Sequence, residues 1–169
     1  MTAYIALLRA VNVGGTGKLP MTDLKSICEL AGFTKVRTYI ASGNVVFTSP
    51  KSEAQVKSTL EAAYAGKPVG VLVRTAAEMA AVVAANPFPA MPGNRTVAIF
   101  LDAPPPLNAL EAAVGVNGEQ MSLGLREIYL HYGEGMADSR LRIPAAKNGT
   151  ARNMNTVAKL AEMAAALLP

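Results

Sequence analysis

Residues 36–48 read VRTYIASGNVVFT, and this stretch decides the fold. Two runs rich in β-branched and aromatic residues flank Ala41-Ser42-Gly43-Asn44, which carries turn chemistry. A hairpin is therefore expected, with its two strands antiparallel neighbours. Upstream, MTDLKSICELAGF (21–33) has the helical stripe Leu24, Ile27, Cys28 and Ala31, with Thr22 as the expected N-cap and Gly32 as the stop. Before it, TAYIALLR (2–9) is a nearly unbroken apolar run, expected as a strand buried on both faces. Downstream, SPKSEAQVKSTLEAAYAG (49–66) reads as a second helix, capped by Ser49 or Ser52, with Pro50 in its first turn and Gly66 at its end. PVGVLVR (68–74) follows as a strand.

The order β-α-β-β-α-β implies a ferredoxin-like split unit, two helices on one face of an antiparallel sheet. A linking helix, TAAEMAAVVAAN, comes next, with Thr75 and Glu78 as a capping box. PFPAMPGN then interrupts regular structure with three prolines in six residues. The remainder repeats the order. TVAIFLD is a strand, PPPLNALEAAVG a short helix, EQMSL and EIYLHY a second hairpin, and RNMNTVAKLAEMAAALL a long helix, with no final strand. The expected fold class is α+β, two ferredoxin-like halves with antiparallel sheets and helices on one face. The expected boundaries are 1–75 for the first half, 76–95 for the linker and 96–169 for a second, incomplete half.

Composition bounds the function. The chain has 169 residues, 51% hydrophobic and 17% charged, which suits a packed domain and not a disordered one. The apolar run near Met1 is broken by Arg9, too short to span a bilayer and without a signal peptide's basic leader, so a cytoplasmic, non-membrane protein is expected. Cys28 is the single cysteine; it excludes an internal disulfide and sits on an apolar stripe as a core residue. The net charge is only +4, yet Arg140, Arg142, Lys147, Arg152 and Lys159 lie between Ser139 and Leu160 with no acid among them. An anionic partner or a solvated basic surface accounts for this equally.

Several motifs are excluded. NVGGTGKLP (12–20) fails the Walker pattern at Asn12 and Leu19, and fails the dinucleotide pattern at Pro20. Its glycines still permit close backbone approach to an anion. The one histidine, His131, has no patterned partner for a metal, so no metal and no cofactor are expected; a lone base role stays open. No nucleophile sits in a strained-turn motif, and catalytic residues are unknown. The RNA-module signature is absent, and the hairpin offers only Tyr39 and Phe47 for stacking.

TARNMNT (150–156) opens the last helix. With Thr150 as N-cap, Arg152 and Asn153 fall in the first turn, where free backbone amides favour an anion. Met154, Val157, Ala158, Ala161, Ala165 and Leu168 form the expected buried stripe.

Taken together, YIALLRAVNVGGTGKLPM, VRTYIASGNVVF, AANPF, EIYLHY, SRL and TARNMNT resemble a family of small bacterial proteins, domain of unknown function 1697. The resemblance implies two ferredoxin-like halves and no particular activity. This chain departs at RAVNVGG, where the family usually reads RGINVGG, and at Met154, where it usually has tryptophan. The leading expectation is binding of an anionic small molecule or nucleotide-like ligand by Arg9, Asn12, Gly14, Gly15, Ser42, Gly43, Asn44, Arg152, Asn153 and Asn155. An enzyme on a phosphorylated or carboxylated metabolite and a nucleic-acid-binding protein are the alternatives. Oligomeric state is not legible.

Overall fold

The computed structural model describes residues 1–9, 20–40, 43–67 and 69–168. The chain divides into two compact units, Met1–Ala80 with Lys159–Pro169, and Ala81–Ala158.

In the first unit, strand β1 (Thr2–Arg9), helix α1 (Met21–Leu30), strands β2 (Thr34–Tyr39) and β3 (Asn44–Ser49), helix α2 (Glu53–Ala63) and strand β4 (Gly70–Thr75) follow the expected order. They build a four-stranded sheet, β2-β3-β1-β4, whose neighbours are all antiparallel. Register places Tyr4, Ala6, Leu8, Val45, Phe47, Val71 and Val73 on one face. There they join Leu24 and Cys28 of α1 and Val56 and Leu60 of α2 in one core. Burial of such side chains contributes roughly 1.5–3 kcal/mol each and drives the layering.

The helix ends were partly legible. Ser52 caps α2 in a reciprocal capping box with Gln55, so Pro50 lies before the helix, not in its first turn. Thr22 is inside α1, and the N-cap is Pro20, which has no side chain to offer. Gly32 (φ +87°) ends α1 in a Schellman arrangement, with Phe33 N–H on Cys28 O and Gly32 N–H on Glu29 O. Thr75 and Glu78 do form the expected box at the start of helix α3 (Ala76–Ala84).

The second unit holds strands β5 (Thr96–Phe100), β6 (Gln120–Leu123), β7 (Glu127–His131) and β8 (Thr150–Asn153). Their order, β6-β7-β5-β8, repeats that of the first sheet, again antiparallel throughout. Two expectations are corrected here. A final strand exists: Thr150–Asn153 pairs with β5, which completes the sheet the sequence left incomplete. The short helix expected over 104–115 is instead a chain of tight turns held by i→i−3 bonds, such as Ala109 N–H to Pro106 O and Glu111 N–H to Asn108 O. Pro104 and Pro105 each precede another proline, which turns both away from α-helical geometry.

Helix α4 (Met154–Ala165) therefore starts later than expected. Asn153 Oδ1 accepts the Thr156 amide at 2.9 Å, so Asn153 is the cap in place of Thr150. The buried stripe turns with it, to Met154, Val157, Leu160, Ala164 and Leu167, while Ala158, Ala165 and Leu168 are exposed.

Candidate functional site

The covered face of the second sheet carries Val97, Ile99, Ile128, Leu130, Met121 and Leu123 by register. In the first unit the matching layer is two helices. Here the connections are the turns after Pro106 and the segment 139–149, whose regular part is a 3₁₀ turn at Pro144–Ala146. Leu110, Ala113, Leu141, Ile143, Ala145 and Ala146 pack on this face as a small core. A recess of about 590 Å³ lies between these irregular connections and the sheet.

That cavity is lined by Ile99, Val114, Leu130, Leu141, Ile143, Pro144 and Ala146, with Tyr132, Arg142 and Lys147 as the polar members. A two-way backbone bridge, Val114 N–H to Arg142 O at 2.9 Å and Arg142 N–H to Val114 O at 2.8 Å, fixes the strap that carries Arg142. Gly115 (φ +73°) is required beside it, because a Cβ there would strike the Arg140 carbonyl. Burial, and next the charge of Glu119, push the Tyr132 phenol upward, so it stays a neutral donor at physiological pH.

The residues expected to form the site fall as follows. Asn12, Gly14, Gly15 and Ser42 lie outside the described residues. Arg9 ends β1 and lies flat across Gly70, where a Cβ would sit 2.7 Å from its Nε. Gly43 (φ +85°) supplies the left-handed turn residue, and its carbonyl accepts the Leu8 amide at 2.9 Å. Asn44 is fully buried and closes the hairpin through Nδ2 to Tyr39 O. Asn153 is the helix cap. The Asn155 side chain lies over Gly93, which has no Cβ to obstruct it.

Arg152 is a strand residue, not one of the first helical turn. It is 8% exposed, and its Nη1 donates to Thr150 Oγ1 at 2.7 Å and to Ala151 O at 3.0 Å. Burial lowers its pKa to about 10, so it remains a cation at neutral pH. Arg74 has the same place in the first sheet. It is buried on the fourth strand, bonded to the carbonyl before it, and followed directly by a helix cap. The repetition points to a structural device at each strand-to-helix junction.

His131 is buried and joined to Thr96, with Nδ1 and Oγ1 2.9 Å apart. Thr96 has one hydroxyl proton and donates it to Pro92 O at 3.0 Å. His131 Nδ1 must therefore be the donor to Thr96, which makes the neutral ring the Nδ1–H tautomer. This chain of bonds ties β5 and β7 to the proline turn. Among the described residues, no group of three or more His, Cys, Asp or Glu could hold a metal ion. No described helix is long and apolar enough to cross a membrane.

Sequence reasoning missed the cavity, but not all of its signals: Arg142 and Lys147 belong to the acid-free stretch already noted. Comparison with known proteins matches residues 1–129 to a family described as "Protein of unknown function (DUF1697)". The chain belongs to this family. Within this DUF1697 chain, SRL and TARNMNT lie beyond the matched span. No curated protein matches it. Among solved structures it is similar to the conserved bacterial protein SP0830 from Streptococcus pneumoniae. Identity is 25%, coverage is 98% of this chain and 99% of that one, and the TM-score is 0.77.

Proposed function

We propose that this protein binds an anionic small molecule, and that the site is the cavity of the Ala81–Ala158 unit. The observation that carries the reading is one of charge in an apolar setting. A recess of about 590 Å³ is walled by aliphatic side chains and bears two cations and a phenol, with no carboxylate among the described lining residues. Ligand sites commonly enclose roughly 300–1,000 Å³, with mostly apolar walls and a few convergent polar groups. The described lining offers no imidazole, thiol, carboxylate or aliphatic hydroxyl, and a reaction there would have to use the Lys147 amine or the Tyr132 phenol. Binding is what we propose.

This keeps the anionic ligand expected from the sequence and moves it to a different set of residues. Arg152 and Asn153 support the strand and the helix start, and Asn44 supports the hairpin. Native mass spectrometry of the purified protein, followed by thermal-shift screening of anionic metabolites, tests the reading. Retained or added anions should raise Tm in wild type and not in Arg142→Gln/Lys147→Gln. An equal rise in both would place binding elsewhere. Salt dependence separates a one-anion pocket from nucleic-acid binding, which weakens steeply through counterion release.

A further inference from the structure

We infer that the ligand of this cavity is an amphiphilic monoanion, a carboxylate on an aliphatic or aryl body, an inference that rests on the anion-binding reading above. The walls decide the body. Ile99 and Leu130 rise from the sheet, and Leu141, Ile143 and Pro144 face the recess from the strap. A ribose or sugar placed against such walls would lose water from its hydroxyls and find few partners, which opposes binding. An alkyl or aryl chain loses nothing polar there and gains from leaving water.

The rim decides the head. Arg142 and Lys147 are exposed and lie only five positions apart on one short strap, and Tyr132 adds a neutral donor. A guanidinium fork with one further cation suits a planar carboxylate. Phosphate sites characteristically add backbone amides from a glycine-rich nest or a helix N-terminus. Here the strap enters a 3₁₀ turn through Pro144, which has no amide to give. The charge and the apolar surface thus lie on one strap, head at the rim and body inward.

The experiment is isothermal titration of the full chain with hexanoate, octanoate and decanoate below their micelle concentrations. Decan-1-ol, decylamine, adenosine monophosphate and pyrophosphate serve as comparators. The expected result is affinity rising about fourfold per methylene until the recess is filled. Decanoate should bind at least tenfold more tightly than decan-1-ol, and decylamine should bind more weakly still. Arg142→Gln/Lys147→Gln should erase the preference for decanoate over decan-1-ol. Val114→Glu, at a half-exposed rim position, should weaken decanoate at least tenfold with the fold intact by circular dichroism. If adenosine monophosphate or pyrophosphate binds in a manner lost in the double variant while the alkanoates do not, the amphiphile is wrong and the anion site stands. If no anion binds the folded protein, both are overturned.

Discussion

Val114 and Arg142 exchange backbone hydrogen bonds at 2.9 and 2.8 Å, an isolated bridge between two irregular segments. It holds a charged residue at the mouth of an apolar recess without using its side chain. Arg142→Ala and Lys147→Ala should therefore change stability by no more than about 0.5 kcal/mol, as for ordinary surface positions. Thermal melts of both variants check this. A loss of several kcal/mol would make the two cations part of the fold and remove them from the site.

The start of α4 separates cap from core. Asn153→Ala should cost about 1 kcal/mol, because the Thr156 amide loses its acceptor. Met154→Ala should cost about 2–5 kcal/mol, because Met154 is buried at the head of the α4 stripe. Chemical denaturation of the two variants orders the effects. Equal losses would mean that the side chain at 154 does not pack as described.

Tyr64 Oη is buried with no hydrogen-bond partner among the described residues. Leaving a hydroxyl unsatisfied costs roughly 1–3 kcal/mol, so removing it should not hurt. Tyr64→Phe is expected to leave stability unchanged or raise it by up to about 1 kcal/mol. A clear loss on denaturation would reveal a partner for the hydroxyl.

Cys28 should label slowly with thiol reagents in the native state. It is fully buried, and burial, helped by Glu29, pushes its thiol up to about 12. Fast stoichiometric labelling of folded protein at pH 8 would contradict that placement.

Alkaline stability follows from the same groups. Burial raises Cys28 from 9.0 and Tyr64 and Tyr129 from 10.0, each to about 12. Between those limits the folded state binds more protons than the unfolded one, so stability falls as pH rises. Arg152 acts in the opposite sense: its pKa drops from 12.5 to about 10, so the folded state sheds its proton first. Tyr132, also raised by burial, acts with Cys28, Tyr64 and Tyr129, and four groups outweigh one. Denaturation midpoints should be flat from pH 6 to 8 as far as these groups are concerned, then decline from about pH 9 toward 12. A midpoint that rises over that range would show the buried acids to be misassigned.

How much of this was legible follows from where each signal lies along the chain. The hairpin at 36–48, the Thr75 capping box, the Gly32 stop and a serine cap on α2 at position 49 or 52 are local, written within a few residues, and the structure has them, with that cap at Ser52. β8 was not readable, because four residues become a strand only when β5, about fifty positions earlier, lies alongside. Reading Thr150 as a cap then rotated the α4 stripe onto Ala158 and Ala165, which are exposed. The turns after Pro106 have helix-forming residues in Leu107–Ala113, so local propensity pointed to a helix that the tertiary setting overrides. The cavity was illegible for a related reason. It lies where two connections are not helical, and its lining gathers residues from Ile99 to Lys147. Only the charges at 142 and 147 left a trace in the sequence, as part of a stretch without acids.

Methyl-detected NMR of Ile, Leu and Val groups during titration with decanoate reads occupancy of the recess residue by residue. Ile99, Val114, Leu130 and Ile143 should shift together and saturate. Leu24, Val56 and Leu60, in the core of the other unit, should stay still, and Arg142→Gln/Lys147→Gln should move the same shifts to at least tenfold higher decanoate. Saturable shifts confined to the first unit, or none in the cavity at any soluble concentration, would contradict binding in this recess.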